Sequence, residues 1–418
     1  MRLVDVYRAL ALLSVALMIL ATGFAAPVTA HSSLNHGRAR HVRRHAAKTG
    51  RARPCGRRSR RHGHCSGSIV CANHRGRRCP QARHTSRHAS KGASRRLPRK
   101  AHWPKRIVPT AAFVATYAPV PAITGTTYYV SPSGSDSNSG TSPISAWRTV
   151  KRVNEASLAP GDGVLFQGGA TFSDETLMPE TSGTVGSLIV FGSYGTGNAT
   201  LPKGVWFRGK DDLAFEHLTI ESEGNLQGTG SDITVEWCSI GNDSLPINAA
   251  GGNSDWTIDD NTIDHAGNSG MLLEGENFIV SGNTITNTGL DASIPYGKHG
   301  IYLKVSNATV TNNTITNFSA DGISVRYRNS TLTGNHISNG EVGIAWFQYD
   351  PIAGTSRWTE NTITGTTEAG IYVSPSDKGG ETRESFIIEH NTLQPATGVY
   401  MNLHPTTGTY TLENNLLR

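Results

Sequence analysis

Polar and charged side chains recur at two positions around a repeated glycine in the second half of the chain. Immediately before the glycine stand Ser269, His299 and Asp321, and four residues after it stand Glu274, Lys304 and Arg326. A cation can neutralise a sugar carboxylate so that the adjacent C–H becomes more acidic, and a histidine can then remove that proton. These residue types therefore predict proton abstraction from an acidic sugar, a step that a β-eliminating lyase and an epimerase share.

A short repeat positions these residues. An Asn followed two residues later by Ile or Leu occurs at 261, 283, 313, 335, 361, 391 and 415, at separations of 22, 30, 22, 26, 30 and 24 residues. After each Asn except the last comes a Gly that opens an alternating apolar strand, at positions 270, 300, 322, 343, 370 and 398. A period in the twenties without helical periodicity indicates a solenoid. A leucine-rich repeat is disfavoured because Leu-x-x-Leu helical segments are absent.

The strand register predicts which side chains share a face. Successive strand residues point to opposite sides, so the first and third residues after the Gly are predicted to face inward and the second and fourth outward. Parallel strands stack about 4.8 Å apart, so outward residues of neighbouring coils collect on one face. We also predict that the recurring Asn stacks as a ladder of side-chain amides, each bonding the next.

Candidate roles follow from this outward face and the loops beside it. The longest insertion, 290–298, is expected to wall a groove, and the loops at 348–350 and 376–378 are expected to extend that wall. The predicted catalytic residues are His299, Lys298, Tyr296 and Arg326. The predicted substrate-binding residues are Lys304, Arg328, Tyr302, Glu274 and Asp321. An ordinary row of alternating surface charges would show the same pattern, which leaves non-catalytic binding as an alternative.

The start of the repeat region carries a signal of its own. Trp147, Val150, Val153 and Leu158 recur at helical spacing before the apolar strand 164–166, which predicts a short helix that caps the open end of the stack. This entry segment and the Asn-x-Ile coils resemble the right-handed parallel β-helix superfamily, with its pectin lyase-like fold. The resemblance covers residues 127–418 and implies an all-β, right-handed parallel β-helix solenoid with a short N-terminal capping helix.

The resemblance also implies a range of activities. The superfamily includes pectate and pectin lyases, alginate-acting enzymes and polygalacturonases, so an acidic polysaccharide is the expected partner. Pectate lyases often use calcium held by Asp, which makes Asp291 and Asp321 candidate ligands, although no dedicated calcium-loop spacing is present. A glycoside hydrolase needs two carboxylates at a defined separation, and only 298–300 faintly resembles a polygalacturonase motif. Hydrolysis is therefore the weaker alternative.

The N-terminus predicts export. Arg2 and Arg8 flank the start of an apolar run over 9–24, which ends in a small-x-small pattern at Ala30. This is typical of a signal peptide spanning 1–30 and is short for a membrane span, so we expect a secreted or cell-envelope protein without a transmembrane segment after cleavage. We also expect a monomer. The chain stops at Arg418 inside a coil, which indicates either a truncated sequence or an open last edge.

Residues 31–126 form a separate basic tail and linker. Residues 31–110 hold 23 Lys and Arg and no Asp or Glu, whereas residues 111–418 hold 14 Lys and Arg against 31 Asp and Glu. A segment that is this basic and has few large apolar residues is expected to be disordered. It is also expected to bind anionic cell-envelope polymers, with nucleic acid as the less favoured partner. Four of the five cysteines (55, 65, 71 and 79) lie here and predict two disulfides of unknown pairing.

Overall fold

The computed structural model describes residues 122–221, 224–294, 297–349, 352–374 and 382–418. The predicted signal peptide and most of the basic tail, with its four cysteines, lie outside these residues. Within them the chain is a stack of coils, and each complete coil contributes one strand to each of three parallel sheets. The structure thereby confirms the predicted all-β parallel solenoid.

The three sheets, here called A, B and C, run the length of the stack. Among the described residues, sheet A has twelve strands: Thr127–Val130, Gly163–Gln167, Ile189–Tyr194, Leu213–Glu216, Ile233–Glu236, Thr257–Asp259, Ile279–Ser281, Thr309–Thr311, Thr331–Thr333, Thr355–Thr359, Ser385–Glu389 and Tyr410–Glu413. Sheet B has ten: Ala199–Thr200, Leu218–Glu221, Ser239–Gly241, Thr262–Ala266, Thr284–Thr288, Thr314–Phe318, His336–Ser338, Thr362–Thr364, Thr392–Gln394 and Leu416–Leu417. Sheet C has nine: Val205–Arg208, Leu226–Thr229, Ile247–Ser254, Met271–Glu276, Ile301–Ser306, Asp321–Val325, Val342–Trp346, Ala369–Val373 and Val399–Leu403.

The core lies between the three sheets, where identical or similar apolar side chains of neighbouring coils stack on one another. Ile301 pairs in register with Ile323, and Ile323 with Ile344, and all three side chains are fully buried. In sheet B, Ile285 stacks on Ile315 and Ile315 on Ile337. Each buried Ile contributes about 1.5–3 kcal/mol by leaving water, and the repetition fixes the register because a one-residue slip would expose the whole column.

The predicted Asn ladder is present at the turn between sheets A and B. The Oδ1 atom of Asn313 accepts the backbone N–H and the Nδ2 of Asn283, at 3.0 and 2.9 Å. Asn335 receives the same pair of bonds from Asn313, both at 3.0 Å. The series continues without a break from Asn261 to Asn415. The ladder therefore holds successive coils in register through buried amides that are all partnered.

A short helix closes the first coil, as predicted. Val150–Asn154 is a five-residue helix in which the Thr149 hydroxyl accepts the Arg152 N–H and the Asp174 carboxylate accepts the N–H groups of Val150 and Lys151. A 3₁₀ turn at Pro143–Ser145 precedes it. Val150, Val153 and Trp147 are buried against the core. The helix covers apolar side chains that an open stack would expose. In the part of the chain described here, no helix has the length and apolar character to cross a membrane.

Candidate functional site

A cavity of about 540 Å³ opens on the outward face of sheet C, and its lining comes from five consecutive coils. The side chains and backbone that line it come from the ends of sheet C strands and from adjoining loops: Leu245, Asn268, Ser269, Leu272, Gly297, His299, Tyr302, Ala320, Asp321, Arg326, Phe347 and Tyr349. We call this the sheet C cavity. It contains four residues that the sequence analysis assigned to the site, namely His299, Tyr302, Asp321 and Arg326.

His299 and Asp321 form a buried pair at one wall of the cavity. His299 Nδ1 lies 3.1 Å from Asp321 Oδ2, and both side chains are 8% exposed. Each residue directly precedes a strand-opening Gly in consecutive coils. A Cβ at Gly300 would lie 2.5 Å from Ile315 and 2.6 Å from the Gly322 carbonyl, so only glycine allows the coils to approach this closely. The glycines thus place the two side chains against each other.

The hydrogen bonds of Asp321 define the tautomer of His299. Ser324 Oγ donates to Asp321 Oδ2 at 2.6 Å, and the backbone N–H of Asp321 points at His299 Nδ1 at 3.3 Å. The two contacts to Nδ1 conflict, because the carboxylate requires a protonated Nδ1 and the N–H an unprotonated one. The charge-assisted bond to the carboxylate is the shorter and stronger. It selects the Nδ1–H tautomer and leaves Nε2 free to accept a proton.

Arg326 places a buried positive charge in the same cavity. The residue is 7% exposed, and its guanidinium carbon lies 4.1 Å from the centroid of the Phe347 ring, 5.0 Å from that of Tyr302 and 5.6 Å from that of Tyr349. Its Nε donates to the Tyr302 hydroxyl at 3.4 Å, whereas Nη1 has no hydrogen-bond partner among the residues that the structure describes. Arg326 forms no ion pair with any residue that the structure describes, and a buried cation of this kind is suited to bind an added anion.

Tyr302 links these two halves of the site. Its ring centroid lies 4.9 Å from that of His299, and its hydroxyl meets Arg326. Tyr302 and Ser324 pair in register on adjacent strands, as do Leu303 and Val325, which places Arg326 one coil beyond Lys304. The cavity therefore combines a base held by a carboxylate, a phenol and an unpartnered cation.

Other predicted site residues lie nearby but outside the cavity lining. Lys304 Nζ is 3.9 Å from Glu274 Oε2 and 5.1 Å from the Tyr302 ring centroid. Arg328 occupies the turn that follows Arg326, where its carbonyl accepts the Asn307 N–H. Lys304 and Glu274 thus form a partly exposed ion pair beside the site, which contributes little to stability.

The insertion before Gly300 contributes Gly297 to the sheet C cavity, whereas Asp291 lies elsewhere. Asp291 is exposed, accepts hydrogen bonds from Ser293 and lines a separate pocket, and Ser293 lowers its pKa. The expected calcium ligands Asp291 and Asp321 therefore lie in different cavities. Among the described residues, no group of three or more His, Cys, Asp or Glu side chains is arranged to hold a metal ion. Lys298 is half-buried and adds a smaller lowering to the pKa of Asp291, and Tyr296 lies outside the described residues.

Sequence reasoning missed Phe347 and Leu245, and it placed Tyr349 only as part of a loop. Phe347 stands four residues after Gly343, the same position that holds Glu274, Lys304 and Arg326 in the preceding coils. Extending the positional rule to an apolar residue would have found it. Leu245 comes from a loop two coils before His299, and no local sequence pattern identifies it as a site residue.

Comparison with known proteins agrees with this architecture. A family model described as a right handed beta helix region matches residues 291–418. The native crystal structure of GH136 lacto-N-biosidase from Eubacterium ramulus superposes with a TM-score of 0.51 at 16% identity, covering 70% of this chain and 68% of that one. The complex of XylC with xylose gives a TM-score of 0.50 at 10% identity, covering 70% and 86%. These likenesses show that the chain shares the right-handed parallel β-helix fold.

One local sequence match has a higher identity than these structures. Over 104 residues the chain is 39% identical to lacto-N-biosidase of Bifidobacterium longum subsp. longum. The match covers 23% of this chain and 6% of that protein. The chain therefore corresponds to a small part of the length of this curated relative.

Proposed function

We propose that this chain is a carbohydrate-active β-helix protein that removes a proton next to the carboxylate of a uronic acid residue, as a lyase or an epimerase. The observation that carries the proposal is the unpartnered Nη1 of Arg326 in the same cavity as the His299–Asp321 pair. A sugar carboxylate could hydrogen-bond to this Nη1, for which no described residue is a partner. The similarity to sugar-binding and sugar-cleaving β-helix structures supports the wider class.

The steps follow from the geometry. The guanidinium of Arg326 pairs with the substrate carboxylate and stabilises the negative charge that develops there when the adjacent C–H is broken. His299 Nε2 takes that proton, and Asp321 stabilises the resulting imidazolium through Nδ1. Elimination is completed when the carbanion electron pair forms a C=C bond and the glycosidic C–O bond breaks. The leaving oxygen then takes a proton from the Tyr302 hydroxyl. An epimerase instead returns a proton to the opposite face.

A glycoside hydrolase is the second candidate, because the local sequence relative is named a lacto-N-biosidase. Hydrolysis requires an acid and a second carboxylate as base or nucleophile. Asp321 is the one carboxylate in the described lining of the sheet C cavity, and it is already bonded to His299 and Ser324. The geometry therefore favours proton abstraction over hydrolysis.

A product assay distinguishes the candidates. The purified chain is incubated with pectate, alginate and glycosaminoglycans, with and without calcium, while the absorbance of unsaturated products is followed. A lyase raises the absorbance, an epimerase instead incorporates deuterium from heavy water, and a hydrolase creates reducing ends without either signal. His299→Ala should abolish the signal, and His336→Ala, which removes an exposed histidine from sheet B, should leave it intact. If no polymer gives any of the three products, the chain is a binding protein and the catalytic proposal fails.

We further propose that the chain is exported as a monomer and is held at the cell envelope by its basic tail. The support is the signal-like segment before residue 31 and the charge contrast between the tail and the repeat region. N-terminal sequencing of the exported protein should start at His31. Salt should release the protein from envelope fractions if the attachment is electrostatic, and retention at high salt would contradict it.

A further inference from the structure

A continuous line of outward residues leads away from the sheet C cavity toward the start of the stack. Successive members are paired in register on neighbouring strands: Tyr302, Leu272, Asn248, Gln227 and Trp206. The line spans four strand spacings, or about 19 Å at about 4.8 Å each. All five side chains are half-buried, so this stretch of the face is accessible.

The same line is closed on the other side of the cavity. Ser324 and Ala345 hold the next two outward positions, and both are fully buried. Phe347 and Tyr372 pack on Ala345, with their ring centroids 5.5 Å apart. A substrate that reaches Arg326 therefore has room to extend toward Trp206, whereas Phe347 blocks its path in the opposite direction.

The far end of the open stretch carries an aromatic and a cation suited to an acidic sugar. The guanidinium carbon of Arg208 lies 3.5 Å from the Trp206 ring centroid, and Arg208 is exposed and forms no ion pair with any residue that the structure describes. Between Trp206 and the cavity, the Asn248 side chain is half-buried, and no described residue hydrogen-bonds its Oδ1. Sugar hydroxyls can hydrogen-bond the exposed part of an amide, and sugar rings can stack on an indole.

We propose that Trp206 and Arg208 form a remote binding site for a distal unit of an acidic sugar chain whose reacting unit lies at Arg326. The inference rests on the proposed function for the nature of the sugar, but not for the existence of the remote site. It implies that the protein binds chains of several sugar units better than short ones. It also implies that the reacting unit lies close to one end of the chain, since Phe347 closes the groove beyond it.

Binding and turnover of oligouronides of increasing length test the proposal. For the full chain, affinity measured by calorimetry should rise with length until Trp206 is reached and then level off. Trp206→Ala should weaken binding of long oligomers about tenfold and leave short ones unchanged. Trp206→Phe should restore most of the affinity, and Arg208→Met should weaken the long oligomers only. Trp237→Asn, which removes a half-buried indole from the turn between sheets A and B, is the matched control.

Different results would overturn the two proposals separately. If length dependence is present in calorimetry but no oligomer is converted, the remote site stands and the proposed reaction fails. If Trp206→Ala weakens short and long oligomers equally, or if wild-type affinity is independent of length, the remote site is wrong. Product size gives a second readout, because attack near one end releases short products from the first minutes, whereas attack within the chain releases long fragments.

Discussion

Two rows of buried polar side chains cross the coils, and they differ in how completely they are partnered. In the Asn ladder, Asn313 accepts two hydrogen bonds from Asn283 and its amide donates to the Val280 and Thr311 carbonyls and to Asn335. In the sheet C cavity, Arg326 Nη1 finds no hydrogen-bond partner within the described part of the chain. A satisfied buried network stabilises one structure, and a buried cation without a partner is retained only where something else requires it. The difference separates the scaffold from the candidate site.

Arg326→Met gives the largest expected effect and tests this comparison directly. Methionine keeps the apolar length of the side chain but cannot neutralise a carboxylate, so activity should fall about 10³-fold. The free energy of unfolding should stay within about 1 kcal/mol of wild type or increase, because a costly buried charge is removed while cation–π contacts are lost. Denaturant unfolding and the product assay measure the two quantities. A loss of stability above about 2 kcal/mol would place Arg326 in the scaffold, and Arg357→Met in sheet A is the exposed control.

Asn313→Ala should give the opposite result. The change removes the buried acceptor of the Asn283 backbone N–H and the amide donor to the Val280 carbonyl, at a cost of about 3 kcal/mol of stability. The Asn283 amide keeps its bonds to the Ile258 and Ser281 carbonyls. Per folded molecule, activity should be unchanged. Denaturant unfolding measures the loss, with Asn307→Gly as the control. Asn307 belongs to an exposed amide row at a φ of 59°, a conformation that glycine keeps, so this control should cost less than about 1 kcal/mol. Equal losses in the two variants would contradict the assignment of the ladder as the main scaffold.

The Asn ladder was predictable from the sequence, whereas the contacts of the candidate site were predictable only in part, for a physical reason. A repeat imposes the same register on every coil, so the Asn column, the inward Ile column and the outward position of Tyr302 follow from spacing alone. The His299–Asp321 contact follows from the same rule, because both residues precede a strand-opening Gly. The contribution of Leu245 to the cavity and the separation of Asp291 from Asp321 depend on loop paths, which have no period. Contacts made by such irregular loops could not be predicted from the repeat.

Asp321→Asn tests whether the site pair acts as a unit. The substitution preserves size but favours the other tautomer of His299, which protonates Nε2 and removes the base. Activity should fall about 10²-fold while the unfolding midpoint changes little. In His299→Ala, adding Asp321→Asn should cause no further loss, because the carboxylate acts only through the histidine. Independent, multiplicative losses would show that Asp321 has a role of its own, as an acid in hydrolysis would require.

Two carboxylates on adjacent strands of sheet A, Glu216 and Glu236, give the smallest expected effect on stability. Burial, with a smaller contribution from the Glu236 charge, raises the pKa of Glu216 from 4.5 to about 7. The two residues pair in register on adjacent strands. Because the folded chain holds this proton more tightly than the unfolded chain, its contribution to stability is present at low pH and is lost as the pH rises from about 4.5 to about 7.

Glu216→Gln should remove this loss. The variant should match wild type near pH 4 and exceed it at pH 8 by about 1–2 kcal/mol, after allowance for the screening that solvent gives a half-buried group. Thermal unfolding across this pH range measures the difference, and Glu360→Gln, at an exposed turn, should show no such trend. A constant difference at all pH values would mean that the carboxylate of Glu216 is already partnered in the fold. If the stability difference increases with pH, the ionised Glu216 is a second charged group that destabilises the fold. Unlike Arg326, it should have no effect on activity.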